Sequence, residues 1–470
     1  MNVIYGYSVL ELTTRKIMKL VKLRLTFIFS TLIIFLSVSS NLAARTQVSS
    51  LIDLVPYLDD NNVHIVIKPG KYTITAQDLE NTFKLQKKAI KFQFSGNNST
   101  YDFTGVTIYI AQDVYDQQWG MNHIQILGND NILKNLSLVD RVEKRPTTRH
   151  PGGVNLTIDG INNRIEGFNV FTSGSFPYGY GDAFGKGGTN TIKHSKHSAC
   201  LIRGTSNHLK NCKFIHHSYG HCIFMQAAHN TLIENCSIEG ETRSTDNILK
   251  ETGTGSPADK IDFLTIWGYT LPKGYILSTG EAGIRAYTSG TTNINGKDIK
   301  RNTVNVTVKD CVIKYMRTGV TIAHARGEKS VTNCTAIGCE NGFSIGNGTI
   351  TNCKADVTHG PAFTTAYDRE TWDIDIEITP TKTRHFNGSK NIAYIGMDNS
   401  EITIRGRDPR IPRDYKIQVG GKKVGIRFLE NSLSNQSQQD AHDNTIINYT
   451  SFPVEIAETS KGNKVINKRR

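Results

Sequence analysis

A six-residue pattern of alternating apolar and polar positions recurs along the middle of the chain. It reads LKNLSL, IEGFNV, LKNCKF, IENCSI, VKDCVI, VTNCTA and ITNCKA, starting at Leu133, Ile165, Leu209, Ile233, Val308, Val331 and Ile350. A second apolar run, seen as ACLIR, HCIFM, GVTIA and GFSIG, recurs at a regular offset. Such alternation is typical of β-strands that turn every second side chain into a core.

The spacing of the pattern predicts how these strands are arranged. Asn211 and Asn235 are 24 residues apart, and Asn333 and Asn352 are 19 apart. Both intervals are close to one turn of a solenoid whose turns stack on each other. The sequence therefore predicts an all-β fold, a right-handed parallel β-helix. One slot of the pattern repeatedly holds an asparagine (Asn135, Asn211, Asn235, Asn333, Asn352), where stacked amides can hydrogen-bond to each other.

The next slot of the pattern repeatedly holds a cysteine (Cys212, Cys236, Cys311, Cys334, Cys353). An even total of eight cysteines in an exported protein usually indicates disulfides. Here the shared inward slot favours free thiols that serve as small hydrophobic groups. Parallel stacked side chains are also poorly oriented for the torsion that a disulfide requires.

The ends of the chain predict its domain organisation. Basic residues precede an apolar run and the segment NLAA, a pattern typical of a secretory signal, so residues 1–44 are predicted to be a signal peptide with the residues before it. No later segment is apolar enough for a membrane span. Residues 45–470 are predicted to form one β-helix domain, with a cap among the first turns near 46–120 and a long loop insertion near 240–304.

The formal charge is +13, from 55 basic and 42 acidic residues. Most of this charge lies on residues 45–470, so the exported part of the chain should attract a polyanion. Export argues against chromosomal DNA as the partner. An acidic polysaccharide and a membrane surface both stay compatible with the charge, and the protein is expected to be a monomer.

The segment from Gly185 to Gly204 concentrates positive charge and contains no acid. Aligned with the next turn, it pairs NTIKHSK with NHLKNCK. This alignment predicts an outward column of lysines (Lys193, Lys196, Lys210, Lys213). Like charges stacked about 4.8 Å apart repel each other, and a bound polyanion would relieve that repulsion.

The same segment resembles the active-site turns of parallel β-helix polysaccharide lyases, the group that contains alginate lyases and chondroitinase B. The whole chain looks closest to alginate lyases of polysaccharide lyase family thirty-one, with active-site similarity to family six. The resemblance implies that Lys186, four residues before Asn190, is the catalytic base and that Arg203 is the acid. Some members bind Ca²⁺ through acids just before the lysine, and Asp182 is the nearest such acid here, with Glu166 more distant.

The chemistry also follows from the residue types. β-Elimination on a uronate polymer removes the C5 proton beside a carboxylate and expels the O4 leaving group, so cations must neutralise that carboxylate. Neighbouring cations also lower the pKa of a lysine base such as Lys186. A guanidinium rarely gives up a proton, so Arg203 could instead hold the carboxylate while Tyr178 or Tyr180 delivers the proton.

Further residues are predicted to contact the substrate because they lie in loops or at strand ends of neighbouring turns. They are Tyr178, His150, His221, Lys193, Lys196, Lys213, Arg285, Tyr287, His324 and Arg326.

Three other functions are compatible with the same fold. A glycoside hydrolase needs paired carboxylates, and only Asp182 lies near the basic segment. A uronan C5-epimerase shares the proton abstraction. A non-catalytic carbohydrate-binding β-helix would need no base at all.

Overall fold

A computed structural model of the chain describes residues 44–81, 92–116, 121–142, 152–185, 192–365, 372–380, 390–406, 408–422 and 438–468. Residues Thr46–Arg470 form one compact unit. Within the described ranges, 33 strands join into one sheet that winds through three parallel stacks. This is the all-β, right-handed parallel β-helix that the repeat predicts, and the fold class is confirmed.

Stack 1 carries the first half of the recurring six-residue pattern. Its strands are β2 (His64–Ile67), β5 (Thr100–Asp102), β8 (Ile132–Lys134), β11 (Arg164–Glu166), β14 (His208–Lys210), the end of β16 (Ile223–Glu234), β23 (Val304–Lys309), β26 (Arg326–Thr332), β29 (Gly348–Ala355), β31 (Trp372–Ile378), β33 (Glu401–Gly406), β37 (Thr445–Asn448) and β39 (Lys464–Asn467). The first strand, β1 (Arg45–Val48), pairs with β2.

Stack 2 carries the second half of the pattern. Its strands are β3 (Gly70–Ile74), β6 (Val106–Ile110), β9 (Ser137–Asp140), β12 (Asn169–Thr172), β15 (Lys213–His216), β17 (Ser237–Glu239), β24 (Val312–Lys314) and β27 (Thr335–Ile337). Beyond β27 the ends of β29 and β31 continue this stack.

Stack 3 carries the second apolar run. Its strands are β4 (Phe92–Phe94), β7 (Met121–Ile126), β10 (Gly153–Ile158), β13 (His197–Thr205), the start of β16, β20 (Ala282–Ala286), β25 (Thr318–Thr321), β28 (Phe343–Ser344), β30 (Phe363–Thr364), β32 (Asn391–Ile395), β34 (Lys416–Val419) and β38 (Val454–Ile456). The longest excursions of the described chain leave stack 2 and return to stack 3, so they border the outer face of stack 3.

Short helices and antiparallel pairs complete the described elements. The helices are α1 (Leu51–Leu54), α2 (Ala76–Asn81), α3 (Gln112–Asp116) and α4 (Thr245–Leu249), with 3₁₀ turns at Val55–Tyr57 and Asp259–Ile261. The antiparallel pairs are β18 (Thr242–Ser244) with β19 (Ile276–Ser278), β21 (Ser289–Ile294) with β22 (Lys297–Asn302), and β35 (Gly421–Lys422) with β36 (Gln438–Gln439). None of the helices in the described ranges has the length and apolar character to traverse a bilayer.

The predicted asparagine ladder is confirmed. Asn235 donates from Nδ2 to Asn211 Oδ1 at 2.7 Å, and Asn352 donates in the same way to Asn333 at 2.8 Å. Asn211 and Asn235 have φ of 56° and 49°, in the left-handed region that asparagine tolerates better than most residues. The ladder therefore stabilises the same bend between stacks 1 and 2 on each of these turns.

The cysteine column is confirmed as a set of free thiols. Every cysteine in the chain is buried and unbridged. The column lies among isoleucine and leucine side chains of the main core.

A smaller satellite core lies under the excursions that lead to stack 3. It packs Phe184, Ile248, Phe263 and Leu277 together outside the main β-helix. The passage near 240–304, predicted as one loop insertion, contributes to it through Ile248 of α4, Leu277 of β19 and residues between them such as Phe263. That passage also supplies one strand of the β-helix itself, β20, and the hairpin β21–β22.

Candidate active site

One row of residues on the outer face of stack 3 is apolar on two turns, cationic on the third and polar on the fourth. Leu201 in β13 aligns with Phe224 in β16, which aligns with Arg285 in β20, which aligns with Thr321 in β25. The chain neighbours of these residues face the core, as Ile202 beside Leu201 and Ile284 beside Arg285 do. Arg285, in GIRAY, was among the residues predicted at strand ends, as the counterpart of Arg203 in ACLIR on a later turn. That alignment is wrong, since Arg285 falls in the row of Leu201.

A buried carboxylate, Glu281, lies just before β20 and gathers several charged groups. Lys196 Nζ is 2.6 Å from Glu281 Oε2, and Arg317 Nη2 is 3.6 Å from Oε1. Arg317 also places Nη1 2.5 Å from Asp182 Oδ2. Tyr219 donates its hydroxyl to Glu281 Oε1 at 3.4 Å. Arg317 thus bridges two carboxylates, while Lys196 remains about one third exposed at the edge of the cluster.

The ion pairs decide whether Glu281 and Arg317 are charged at neutral pH. Burial alone would raise the pKa of Glu281, but its contacts with His221, Lys196 and Arg317 outweigh burial and hold that pKa well below its usual range. Burial would lower the pKa of Arg317, but Asp182 and Glu281 outweigh it and hold that pKa above its usual range. Both Glu281 and Arg317 are therefore charged at neutral pH.

A histidine and a tyrosine stand next to Glu281. Burial lowers the pKa of His221 to about 3, so its ring is neutral at neutral pH. The backbone N–H of Ala282 donates to His221 Nδ1 at 3.1 Å, which assigns the ring proton to Nε2. That Nε2 lies 2.9 Å from the hydroxyl oxygen of Tyr287 and 3.5 Å from Glu281 Oε2. His221 therefore donates to Tyr287, and the phenolic proton of Tyr287 is not used in this hydrogen bond.

Tyr287 is half-buried and stays protonated at neutral pH. Burial, and then the charge of Glu281, raise the pKa of its phenol. The guanidinium carbon of Arg285 lies 5.2 Å from the centre of the Tyr287 ring, and Arg285 Nη1 donates to Thr321 Oγ1 at 3.3 Å. A cation and a neutral proton donor thus lie side by side on the outer face of stack 3.

The aromatic side of the cluster is formed by Tyr219 and His194. The Lys196 ammonium lies 5.2 Å from the centre of the Tyr219 ring, and the His194 ring lies 4.2 Å from the same centre. Burial lowers the pKa of His194 to about 4, so this imidazole adds no charge at neutral pH. The positive charge of the cluster therefore belongs to Lys196, Arg317 and Arg285.

An open pocket of about 620 Å³ borders the excursion that contains Tyr178. Tyr178 donates its hydroxyl to Glu241 Oε2 at 2.5 Å and lies 2.8 Å from Thr279 Oγ1. Thr279 and Tyr178 both line the pocket together with Arg243. The pocket thus offers a tyrosine and an arginine, and its lining residue Thr279 is two residues along the chain from Glu281.

Tyr180, predicted as a proton donor, lies in the satellite core. It donates its hydroxyl to Glu251 Oε2 at 2.6 Å, and Arg243 lies over its ring at 5.6 Å. Burial, and then the bond to Glu251, raise its pKa to about 12.

Arg203 lies at the end of β13, where the chain turns from stack 3 to stack 1. Its Nη2 is 2.7 Å from Asp159 Oδ2, and its Nη1 donates to the Thr291 carbonyl at 3.1 Å. Asp159 is fully buried and also accepts from Thr292 Oγ1 at 2.9 Å. Arg203 therefore ties the hairpin β21–β22 to this corner.

The predicted column of four lysines is wrong. Lys210 lies in stack 1, aligned with Glu166 and Glu234, and Lys213 lies in stack 2, aligned with Asn169 and Ser237. Lys193 and Lys196 belong instead to the excursion that precedes β13. The alignment failed because this excursion inserts residues whose sequence imitates a strand of the next turn.

The other predicted residues fall in several places. Lys193 and Lys213 are exposed, His324 is half-buried after β25, and Arg326 is exposed at the start of β26 in stack 1. Lys186 and His150 lie outside the described residues. Asp182 and Glu166, the acids available for Ca²⁺, are each paired with an arginine, Arg317 and Arg164 respectively.

Sequence reasoning missed Glu281 and Arg317, although a signal for them exists. Each stands two residues before the glycine of the second apolar run, in EAGIR and RTGVT, and Glu340 has the same position in ENGFS. The backbone N–H of Arg317 donates to the Glu281 carbonyl at 2.8 Å, which places the two residues on adjacent turns. Charges of alternating sign at one offset of the repeat would have predicted the pair.

No family model and no curated protein matches the chain. Among solved structures it is similar to pectate lyase Pel9A, with 12% identity over 88% of this chain and 74% of that chain, and a TM-score of 0.39. It is similar to the catalytic domain of a GH87 α-1,3-glucanase in complex with nigerose, with 11% identity, 91% and 68% coverage, and a TM-score of 0.48. It is also similar to the alginate lyase AlyF-OU02 in complex with G6, with 14% identity, 87% and 72% coverage, and a TM-score of 0.38. Likeness at this level carries no argument about chemistry.

Proposed function

We propose that the protein is an exported polysaccharide lyase that cleaves an anionic uronate polymer, alginate, by β-elimination. The observation that carries this proposal is the chain of contacts from Lys196 through Glu281 and His221 to Tyr287 and Arg285. These contacts bring cations and a neutral proton donor together on one outer face of the β-helix.

The cations supply the first requirement of the reaction. The C5 proton of a uronate becomes acidic when its carboxylate is neutralised, and preorganised donors at such a developing charge contribute roughly 3–4 kcal/mol each. Lys196 and Arg285 are half-buried and can be reached by a sugar from the outer face. Arg317 is committed to Asp182 and Glu281 and holds the cluster together instead.

Tyr287 supplies the second requirement, a proton for the leaving O4. His221 donates to the Tyr287 oxygen, so the phenolic proton can be delivered to a substrate oxygen. The raised pKa keeps that proton on the phenol at neutral pH. We assign the donor role to Tyr287 in place of Tyr180, which donates to Glu251, and of Arg203, which holds Asp159.

The base that removes the C5 proton is proposed from the sequence alone. Lys186 occupies the position of the base in the lyases that the segment Gly185 to Gly204 resembles. Its assignment stays a prediction, because Lys186 lies outside the described residues.

Hydrolysis is disfavoured because Glu281 is ionised at neutral pH. A glycoside hydrolase needs a carboxylic acid that keeps its proton near neutral pH, which requires a raised pKa. The pKa of Glu281 is lowered instead. Its neighbour Asp182 lies 2.5 Å from the guanidinium of Arg317.

The test is to incubate residues 45–470 with alginate, pectate, chondroitin and hyaluronan and to follow ultraviolet absorbance of the unsaturated uronate product. We expect absorbance to rise with alginate. Tyr287→Phe should lower kcat about 10²- to 10⁴-fold. Tyr449→Phe, a half-buried tyrosine on a late turn, is the matched control and should leave kcat unchanged.

Three results would count against the proposal. New reducing ends without absorbance would indicate hydrolysis. A changed ratio of mannuronate to guluronate without cleavage would indicate an epimerase. Equal polymer binding by the wild type and Tyr287→Phe, with no product from either, would indicate a binding protein.

A further inference from the structure

A second cluster of titratable side chains is buried between stacks 2 and 3, apart from the outer face described above. His123 lies in β7, Asp140 ends β9, His197 begins β13 and Tyr115 lies in α3. All four side chains are buried, with at most 3% of their surface exposed. The cluster therefore cannot act on a polymer, and it requires a different explanation.

The four polar groups point at one another. One ligand atom from each of His123, Asp140 and His197 lies within 4.8 Å of the others. His197 Nε2 is 3.2 Å from Asp140 Oδ2, and the Tyr115 hydroxyl oxygen is 3.2 Å from His123 Nε2. The centres of the three rings are 5.5 to 5.8 Å apart, so the rings surround a common point.

The hydrogen bonds of the chain do not satisfy this cluster. Nδ1 of His197 and Nδ1 of His123 are buried without a hydrogen-bond partner, and His197 Nε2 has only the 3.2 Å contact with Asp140 Oδ2. A buried polar group without a partner loses its hydration and gains nothing in return, and native structures rarely keep several such groups together. A group bound between the rings would remove that cost for the nitrogens that face it.

We propose that Tyr115, His123, Asp140 and His197 bind one Zn²⁺ ion. Two imidazoles, a carboxylate and a phenol oxygen give four ligands, the number that Zn²⁺ takes in closed structural sites. Ligands about 2.0–2.1 Å from Zn²⁺ in a tetrahedron are separated from each other by about 3.3 Å. The two observed separations of 3.2 Å match this value. Imidazole ligands also favour Zn²⁺ over Ca²⁺ and Mg²⁺, which prefer oxygen.

The surroundings of Asp140 support a ligand role. Asn155 donates from Nδ2 to Asp140 Oδ1 at 2.8 Å, and the Ser173 backbone N–H donates to Oδ2 at 2.9 Å. Bonds of this kind orient a ligating carboxylate. Each oxygen of Asp140 keeps further acceptor capacity, because an ionised carboxylate has about four acceptor sites.

The ion would join successive turns of the β-helix. β7, β10 and β13 are adjacent in stack 3, and the ligands come from β7 and β13 with Asp140 from stack 2. His197 directly follows Lys196 of the candidate active site, so the ion would hold the start of β13. The site does not depend on the reaction proposed for the outer face.

The test is the zinc content of untagged residues 45–470, purified and then dialysed against a chelator and reloaded with ZnCl₂ alone. We expect about one Zn²⁺ per chain, a fall in Tm when the ion is removed, and recovery of Tm on reloading. His197→Asn should reduce the bound zinc to less than about a tenth of an equivalent. His359→Asn, which changes a buried histidine on a later turn, should retain it.

Tyr115→Phe keeps the shape of the packed ring and serves if His197→Asn does not fold. It should weaken zinc affinity by at least about tenfold, a loss at the lower end of that seen for perturbed metal sites. Folded wild-type protein that binds no zinc at micromolar ZnCl₂ would overturn the site. So would zinc content unchanged in both His197→Asn and Tyr115→Phe.

Discussion

Replacement of Arg317 by methionine tests the buried charge network most directly. Arg317 is the cation shared by Asp182 and Glu281, at 2.5 and 3.6 Å, and both carboxylates are more than nine tenths buried. Breaking a buried pair by removing one partner typically costs 3–5 kcal/mol, because the remaining charge is left uncompensated. Lys196 still pairs with Glu281 in the variant, so we expect the lower end, about 3 kcal/mol.

Urea unfolding followed by circular dichroism measures this loss. Since the urea dependence of unfolding grows with chain length, about 3 kcal/mol corresponds to a midpoint shift of about 1 M or less. Lys314→Met is the matched control, because Lys314 lies in the neighbouring strand and forms an exposed pair with Glu239 at 3.5 Å. An exposed pair contributes about 0–1 kcal/mol, so the control midpoint should hardly move.

A second substitution separates lost charge pairing from lost packing. Adding Glu281→Gln to Arg317→Met removes one of the uncompensated charges and should restore about 1 kcal/mol, within the range of coupling between contacting residues. The reasoning is refuted if Arg317→Met is no more damaging than Lys314→Met. It is also refuted if the two substitutions at Arg317 and Glu281 are additive.

Three further predictions concern stability. The pKa of Glu281 is lower in the folded state, so ionised Glu281 contributes fully to folding stability above the unfolded pKa of about 4.3, and that contribution is lost as pH falls towards the folded pKa. At pH values below about 4 the Tm of the wild type should therefore decrease, and the Tm of Glu281→Gln should decrease less. Asn235→Ala should cost about 1–2 kcal/mol in urea unfolding, because alanine at φ 49° is strained and the bond to Asn211 is lost, whereas an unchanged midpoint would contradict the ladder. Cys311→Ser should cost about 1–3 kcal/mol by desolvating a hydroxyl in the core, and Cys311→Ala measures the packing share of that cost.

The arrangement of the turns could be predicted because it is periodic and local. Asn235 bonds to Asn211, its equivalent one turn away, and the cysteines share one inward slot, so each position repeats the same environment at nearly the same interval. A strand that alternates apolar and polar residues has only one way to bury its apolar side. The β-helix and its free thiols follow from that pattern without any knowledge of distant contacts.

The candidate sites depend on contacts that do not repeat at a regular interval along the sequence. Lys196 meets Glu281 from 85 residues away, and Arg317 meets Asp182 from 135 residues away, across excursions whose lengths the repeat does not set. An inserted excursion shifts every later residue relative to the stack, which is why Lys193 and Lys196 were aligned with the wrong strands.

The sequence by itself determined the solenoid, the inward cysteines and the surplus of positive charge, because these depend on composition and on neighbours one turn apart. Only the tertiary structure decided which charges meet. It pairs Arg203 with Asp159, places Tyr287 against His221 and brings His123 and His197 together. The reason is that the path of each excursion between stacks decides which residues of the β-helix its side chains contact.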